Sequence, residues 1–285
     1  MVIERLTGIV NEGLCLATVM LLACGLPETS RAAVECRLSV VEPDSVQKAV
    51  DKAFAAGGGM VVVPKGEWVT KPISLKSNVT LKLEDGAVLS GSTNLLDYAR
   101  ADTPGISRAL LSAEDAENVA IVGKGRIDGR GHCFKSKFVN AAAQPTETPM
   151  LMKFVRCRNV RLEDFFYGRS PSWSIHLVSS DGVEIRRLTC FNHCNLFNDG
   201  IDIESRNVLI EDCVIDSEDD ALCFKSESDK GFLVENVTVR GCRLASTCNH
   251  IKFGTGSYGM WQHSATGRVE GITGDVDLNL SFGKP

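Results

Sequence analysis

A chain of 285 residues, 44% hydrophobic and 24% charged, carries enough apolar side chain for a sizeable core, which excludes a disordered chain. Its formal charge of -5 argues against nucleic-acid binding, which calls for a basic stripe. An acidic ligand would have to be met by basic residues placed locally.

Residues 14–25 (LCLATVMLLACG) form an apolar run too short to cross a bilayer but of the length of a secretory signal core. Within it, 21–24 (LLAC) matches a lipoprotein cleavage site with Cys24 as the anchor. Residues 1–33 are therefore set apart as a signal-like segment and the protein is expected to be secreted or periplasmic; a buried N-terminal helix is the alternative. No later run resembles a membrane span. Asp44 is placed to cap a helix running to about Phe54, with Val46, Ala49, Val50, Ala53 and Phe54 on one face, and Gly57-Gly58-Gly59 stops it. From Met60 onward the pattern is short β runs separated by Gly, Asn, Asp and Pro.

An internal repeat follows. Asn78-Val79, Asn118-Val119, Asn159-Val160, Gly182-Val183, Asn207-Val208 and Asn236-Val237 mark it, the last four spaced by 23, 25 and 29 residues. The earlier gaps of 40 and 41 residues exceed one such unit. A second strand aligns in each unit and places Ile175, Ile201, Leu222 and Ile251 in one inward column. Alternating strands at this period predict a solenoid, and the lack of a Leu-x-x-Leu-x-Leu pattern favours a parallel β-helix, an all-β fold with a short N-terminal capping helix. Residues 34–263 form its single domain and 264–285 an atypical tail. Of the eleven cysteines, which show no C-x-x-C spacing, most read as small buried hydrophobes; Cys190 and Cys194 are set apart.

In such a ladder successive rungs lie about 4.8 Å apart. The column before the apolar one reads Trp173, Asp199, Asp220, Asn249, and the column after it His176, Asp202, Cys223, Lys252, with Asp219 one residue ahead of Asp220. Asp199, Asp219 and Asp220 can thus surround one bond and one water. Like charges that close raise at least one pKa, as a general acid requires. Ordinary turn chemistry is the alternative, evenly balanced for Asp202, and calcium ligation for a lyase is the rival functional reading.

The segments 197–205 (FNDGIDIES) and 216–226 (DSEDDALCFKS) resemble the two aspartate motifs of glycoside hydrolase family 28, the polygalacturonases and their relatives. Residues 125–131 (GRIDGRG), 170–176 (SPSWSIH), 63–68 (VPKGEW) and 86–92 (GAVLSGS) support the match. The resemblance implies a single-stranded right-handed β-helix and inverting hydrolysis of galacturonan-type bonds without a metal or cofactor. It assigns Asp219 as general acid and Asp199 with Asp220 as the pair that holds and deprotonates water. Phe197 and Glu218 replace the family's usual small polar residue and Gly. Asn249 stands where the third motif has His, with His250 one place on, and an Arg-Ile-Lys motif has no match. These departures point to a divergent bacterial-type branch lacking C-terminal coils, with an open sheet end. Trp173 is a candidate to stack on a sugar; His176, Asp202, Lys225, Asn249, His250, Lys252 and Arg169 are candidates to bind an acidic, pectin-like polysaccharide. A non-catalytic carbohydrate-binding homologue is the third reading. The oligomeric state is open.

Overall fold

The computed structural model describes residues 34–98, 108–134, 148–225 and 232–254, and the backbone of 276–280. The signal-like run and Cys24 lie outside the described residues, as does most of the tail. Among the described residues no helix is long and apolar enough to cross a membrane.

The chain winds as a parallel β solenoid. On the face that carries the aspartates, Ile175 pairs with Ile201, Ile201 with Leu222 and Leu222 with Ile251, all parallel and in register. The first three side chains are fully buried, so alternation sends their neighbours to the opposite side of the sheet. A second face stacks Val160, Val183, Val208 and Val237, again buried. A third stacks Phe166–Gly168, Thr189–Asn192, Val214–Ser217 and the end of Val237–Ser246. Each buried Val, Ile or Leu contributes about 1.5–3 kcal/mol, and the one-rung register is the way all three faces bury their apolar columns together.

The Asn-Val repeat has a physical cause. Asn78, Asn118, Asn159, Asn207 and Asn236 all adopt left-handed backbone, with φ between 53 and 62°, and Gly182 does so at 73°. Asn tolerates that region better than other non-Gly residues. The side chains also form a ladder: Asn118 Nδ2 donates to Asn78 Oδ1 at 2.8 Å, Asn159 to Asn118 at 2.7 Å and Asn236 to Asn207 at 2.9 Å. At Gly182 the ladder is broken, and Asn207 Nδ2 donates to Asp181 Oδ1 instead, at 2.7 Å.

Four expectations change. The intervals of 40 and 41 residues are each one coil, since Ala120 pairs with Thr80 and Arg158 with Glu117; the extra length lies in connections, where added residues cost little. The helix spans Ser45–Ala55, but Asp44 makes no side-chain cap and contacts Lys71 Nζ at 3.4 Å. Phe54 is about half exposed, because Val46, Val50 and Ala53 already fill the contact with the first coil. Finally, the sheet edge is not open along Val237–Cys242: the backbone of Val276–Leu280 pairs with it antiparallel, from Val237–Leu280 to Cys242–Val276.

Replacing Asn159 by Ala removes a ladder bond and leaves a Cβ residue in left-handed backbone, so Asn159→Ala is expected to lose about 1–3 kcal/mol in urea unfolding, and Asn159→Gly about 1 kcal/mol less than that.

Candidate active site

Two turns deliver the acids. The chain leaves the third face at Asn192 and re-enters the ladder at Asp199, and one coil later it leaves at Ser217 and re-enters at Asp220, where Gly200 N donates to Asp220 O at 2.8 Å. The first turn is held by buried Asn198, whose Oδ1 accepts from Asn195 N at 2.7 Å and whose Nδ2 donates to Ser170 O at 2.7 Å. The second is held through the Asp219 carbonyl, which accepts from Ser217 Oγ at 2.8 Å and Ser246 Oγ at 2.6 Å. Asp219 Oδ1 accepts from Asp220 N at 3.0 Å and its side chain is only half-buried.

Around the acids the charges interlock. Lys252 Nζ lies 2.7 Å from Asp220 Oδ2, and Asn249 Nδ2 donates to Asp220 Oδ1 at 2.6 Å. Lys225 Nζ lies 3.0 Å from Asp202 Oδ1 and 3.5 Å from Asp199 Oδ2, and it also sits over the Trp173 ring, 3.8 Å from its centroid. Asp199 Oδ1 and Asp202 Oδ2 are buried with no donor facing them. Burial pushes the pKa of Asp199 up, its proximity to Asp202 adds to this, and Lys225 pulls it back. Asp202 is raised by burial too, against Lys225 and His176. Two buried carboxylates share one ammonium, so the pair retains a proton that also gives an otherwise orphaned oxygen a partner.

Most of the expected residues converge here, though not all as surface contacts. His176 is buried, its Nε2 2.9 Å from Glu204 Oε1 and its ring edge-on to Trp173 at 5.2 Å. Trp173 is half-buried with one face against Lys225, so a sugar could stack only on what remains. Asp202 is inaccessible, Asn249 and His250 are exposed, and Arg169 is occupied by a two-pronged contact with buried Asp128. That contact explains the GRIDGRG segment: a Cβ on Gly129 or Gly131 would stand 2.7 or 2.5 Å from the carbonyls of Arg169 and Ser170. All nine described cysteines, including Cys190 and Cys194, are free thiols. Asp199, Asp220 and Cys223 offer atoms within 4.8 Å of one another. Calcium prefers oxygen to sulfur, and Lys225 and Lys252 already supply positive charge to both acids.

Sequence reasoning missed Glu204 and Lys153. Both lie on the outward side of this face, Lys153 beside His176 and Glu204 two residues beyond Asp202. Burial lowers the Lys153 pKa, partly offset by Glu204 and Glu114. With Ser74, Tyr98, Arg108, Ser112 and Glu114, Lys153 lines a groove on the same face, toward the N-terminal coils.

The glycosyl hydrolases family 28 model matches residues 58–246, about two thirds of the chain. The chain belongs to glycosyl hydrolase family 28. It is 31% identical over 195 residues to a probable polygalacturonase of Vitis vinifera, covering 64% of this chain and 40% of that one. It is 30% identical over 226 residues to a probable polygalacturonase of Arabidopsis thaliana, covering 70% and 47%. Its fold is similar to that of the Thermotoga maritima exopolygalacturonase, with TM-score 0.60, 24% identity and coverage of 78% of this chain and 62% of that one. This family 28 chain thus spans less than half the length of those two plant relatives.

A raised carboxyl pKa makes folding take up protons above the unfolded value, about 3.9, so stability is lost as pH climbs from there toward the folded value. The Asp202→Asn variant, whose amide can donate to Asp199, is expected to show a flatter fall of Tm between pH 4 and 8 than the wild type in calorimetry.

Proposed function

We propose that the chain is a glycoside hydrolase acting on pectic, galacturonan-type polysaccharide by inversion, with Asp199, Asp219 and Asp220 as its catalytic acids. The observation that carries the reading is their convergence: three acids from two adjacent rungs, on the open side of a strand ladder, within a family 28 domain. Asp219 is the general acid, because its half-buried side chain reaches toward solvent, where a leaving glycosidic oxygen would sit. It gives its proton to that oxygen as the bond to the anomeric carbon breaks. Asp199 and Asp220, both buried, hold the water that attacks the opposite face, and one of them takes its proton. Inversion needs acid and base roughly 6.5–9.5 Å apart.

Asp199 can accept that proton if the one it shares with Asp202 resides on Asp202, which has no solvent exposure at all. Lys225 then faces an ionised Asp199. Lys252, about half exposed beside Asp220, and the groove cations Lys153 and Arg108 supply local positive charge for an acidic glycan, as a chain of net charge -5 requires. The probable polygalacturonase names of the two plant relatives support the same substrate class.

The test is reducing-sugar release from polygalacturonate and rhamnogalacturonan, with proton NMR of the fresh product to read the anomer. Asp219→Asn is expected to lower kcat at least 100-fold with KM changed little, the scale of a lost general acid. Equal inertness of wild type and variant on both glycans would sink the hydrolase reading and leave a carbohydrate-binding role. An unsaturated product absorbing in the ultraviolet would indicate a lyase.

A further inference from the structure

The two turns that deliver the acids are unequal in length. Glu218 N donates to Asn192 O at 2.9 Å, and the next backbone bond between the two coils is Gly200 N to Asp220 O. Six residues lie between Asn192 and Asp199, but only one between Glu218 and Asp220. Between those points the coils cannot run in register, and among the described residues no backbone hydrogen bond joins 193–198 to Asp219. A side chain joins the coils at the edge of that gap. His193, the first residue after Thr189–Asn192, places Nδ1 3.0 Å from Glu218 Oε2 and Nε2 2.7 Å from Asp216 Oδ1. Phe191 backs its ring at 4.9 Å.

We propose that His193 is a positioning residue which, by bridging Asp216 and Glu218, ties the turn delivering Asp199 to the turn delivering Asp219 and Asp220 and so sets the spacing of these acids. The inference rests on the proposed hydrolase reading for its catalytic consequence, not for the bridge itself. Glu218 takes the place where the family usually has Gly, so the bridge belongs to this chain's own departure from the pattern. A neutral imidazole has one donor, while two carboxylates need two, so the bridge is complete only as imidazolium. Asp216 and Glu218 are the charged groups that face His193 among the described residues. Burial alone would lower its pKa, but the two acids outweigh that and the net direction is upward. The bridge is therefore whole at acid pH and loses one arm as pH rises through that elevated value.

The experiment uses the full chain, His193→Gln and Glu218→Gln. In the first arm, NMR follows the His193 ring and the backbone amides of Asp199 and Asp219 through pH 5–9. The ring is expected to titrate above about 6.5 and at lower pH in Glu218→Gln than in the wild type, with both amides shifting at the same midpoint. A ring midpoint at or below about 6.5, or amides that do not follow it, would overturn the proposal whatever the activity. In the second arm, His193→Gln is expected to lower kcat on polygalacturonate roughly tenfold at pH 5 with KM within twofold. The deficit should shrink above the His193 midpoint, where the wild-type bridge also opens. A pH-independent deficit would mean a merely structural role and overturn it. A wild type inert on glycans, with amides that follow His193, keeps the bridge and refutes the hydrolase reading instead.

Discussion

Everything at the site depends on one constraint, the one-rung register of the parallel ladder. Parallel strands repeat at about 4.8 Å, so residues in the same column are held closer than unpaired charges tolerate. Ile175, Ile201 and Leu222 fix that register by burying without remainder. A slip by one residue would turn Asp202 and Cys223 inward and Ile201 and Leu222 out, exchanging several kcal/mol of burial for buried charge. The core pins the acids at short range, and the chemistry proposed for them is a consequence of that crowding.

Crowding also dictates the neighbours. Asp199, Asp202 and Asp220 are all buried, and unpaired they would carry a large desolvation cost. Lys225 and Lys252 offset it from the same side. These lysines look at sequence level like grips for a uronate. In the folded protein they first answer the protein's own acids, and Lys252, the more exposed, is the one with surface left to offer a substrate.

The columns were legible in the sequence because strand alternation and repeat period are properties of the chain alone. Asp199 over Asp220, His176 beside Asp202 and the Val160 to Val237 stack could all be aligned by eye. Depth was not legible. His176 and Lys252 share a column, yet one is buried and the other about half exposed, because what covers a column comes from distant connections. Partners from outside the column, such as Glu204 for His176 or Asp128 for Arg169, were hidden for the same reason. The two long coils were misjudged because a period measured in residues counts excursions that the ladder ignores.

Those excursions have a pattern. The stretch from the third face to the aspartate-bearing face runs only from Thr70 to Ile73 in the first coil, from Gly91 to Ala109 and from Asp128 to Met150 in the next two, and from Ser217 to Leu222 and Ser246 to Ile251 later. At the corner leaving the Asn-marked face the spacing is constant, Glu163 to Phe166, Arg186 to Thr189 and Glu211 to Val214, and Asp164, Arg187 and Asp212 there all take left-handed backbone. One corner of these coils is thus invariant, while the one bordering the acids is free in length. Evolution can resculpt the walls around the reaction centre by insertion and deletion there, altering what fits between them while the stack beneath stays unchanged.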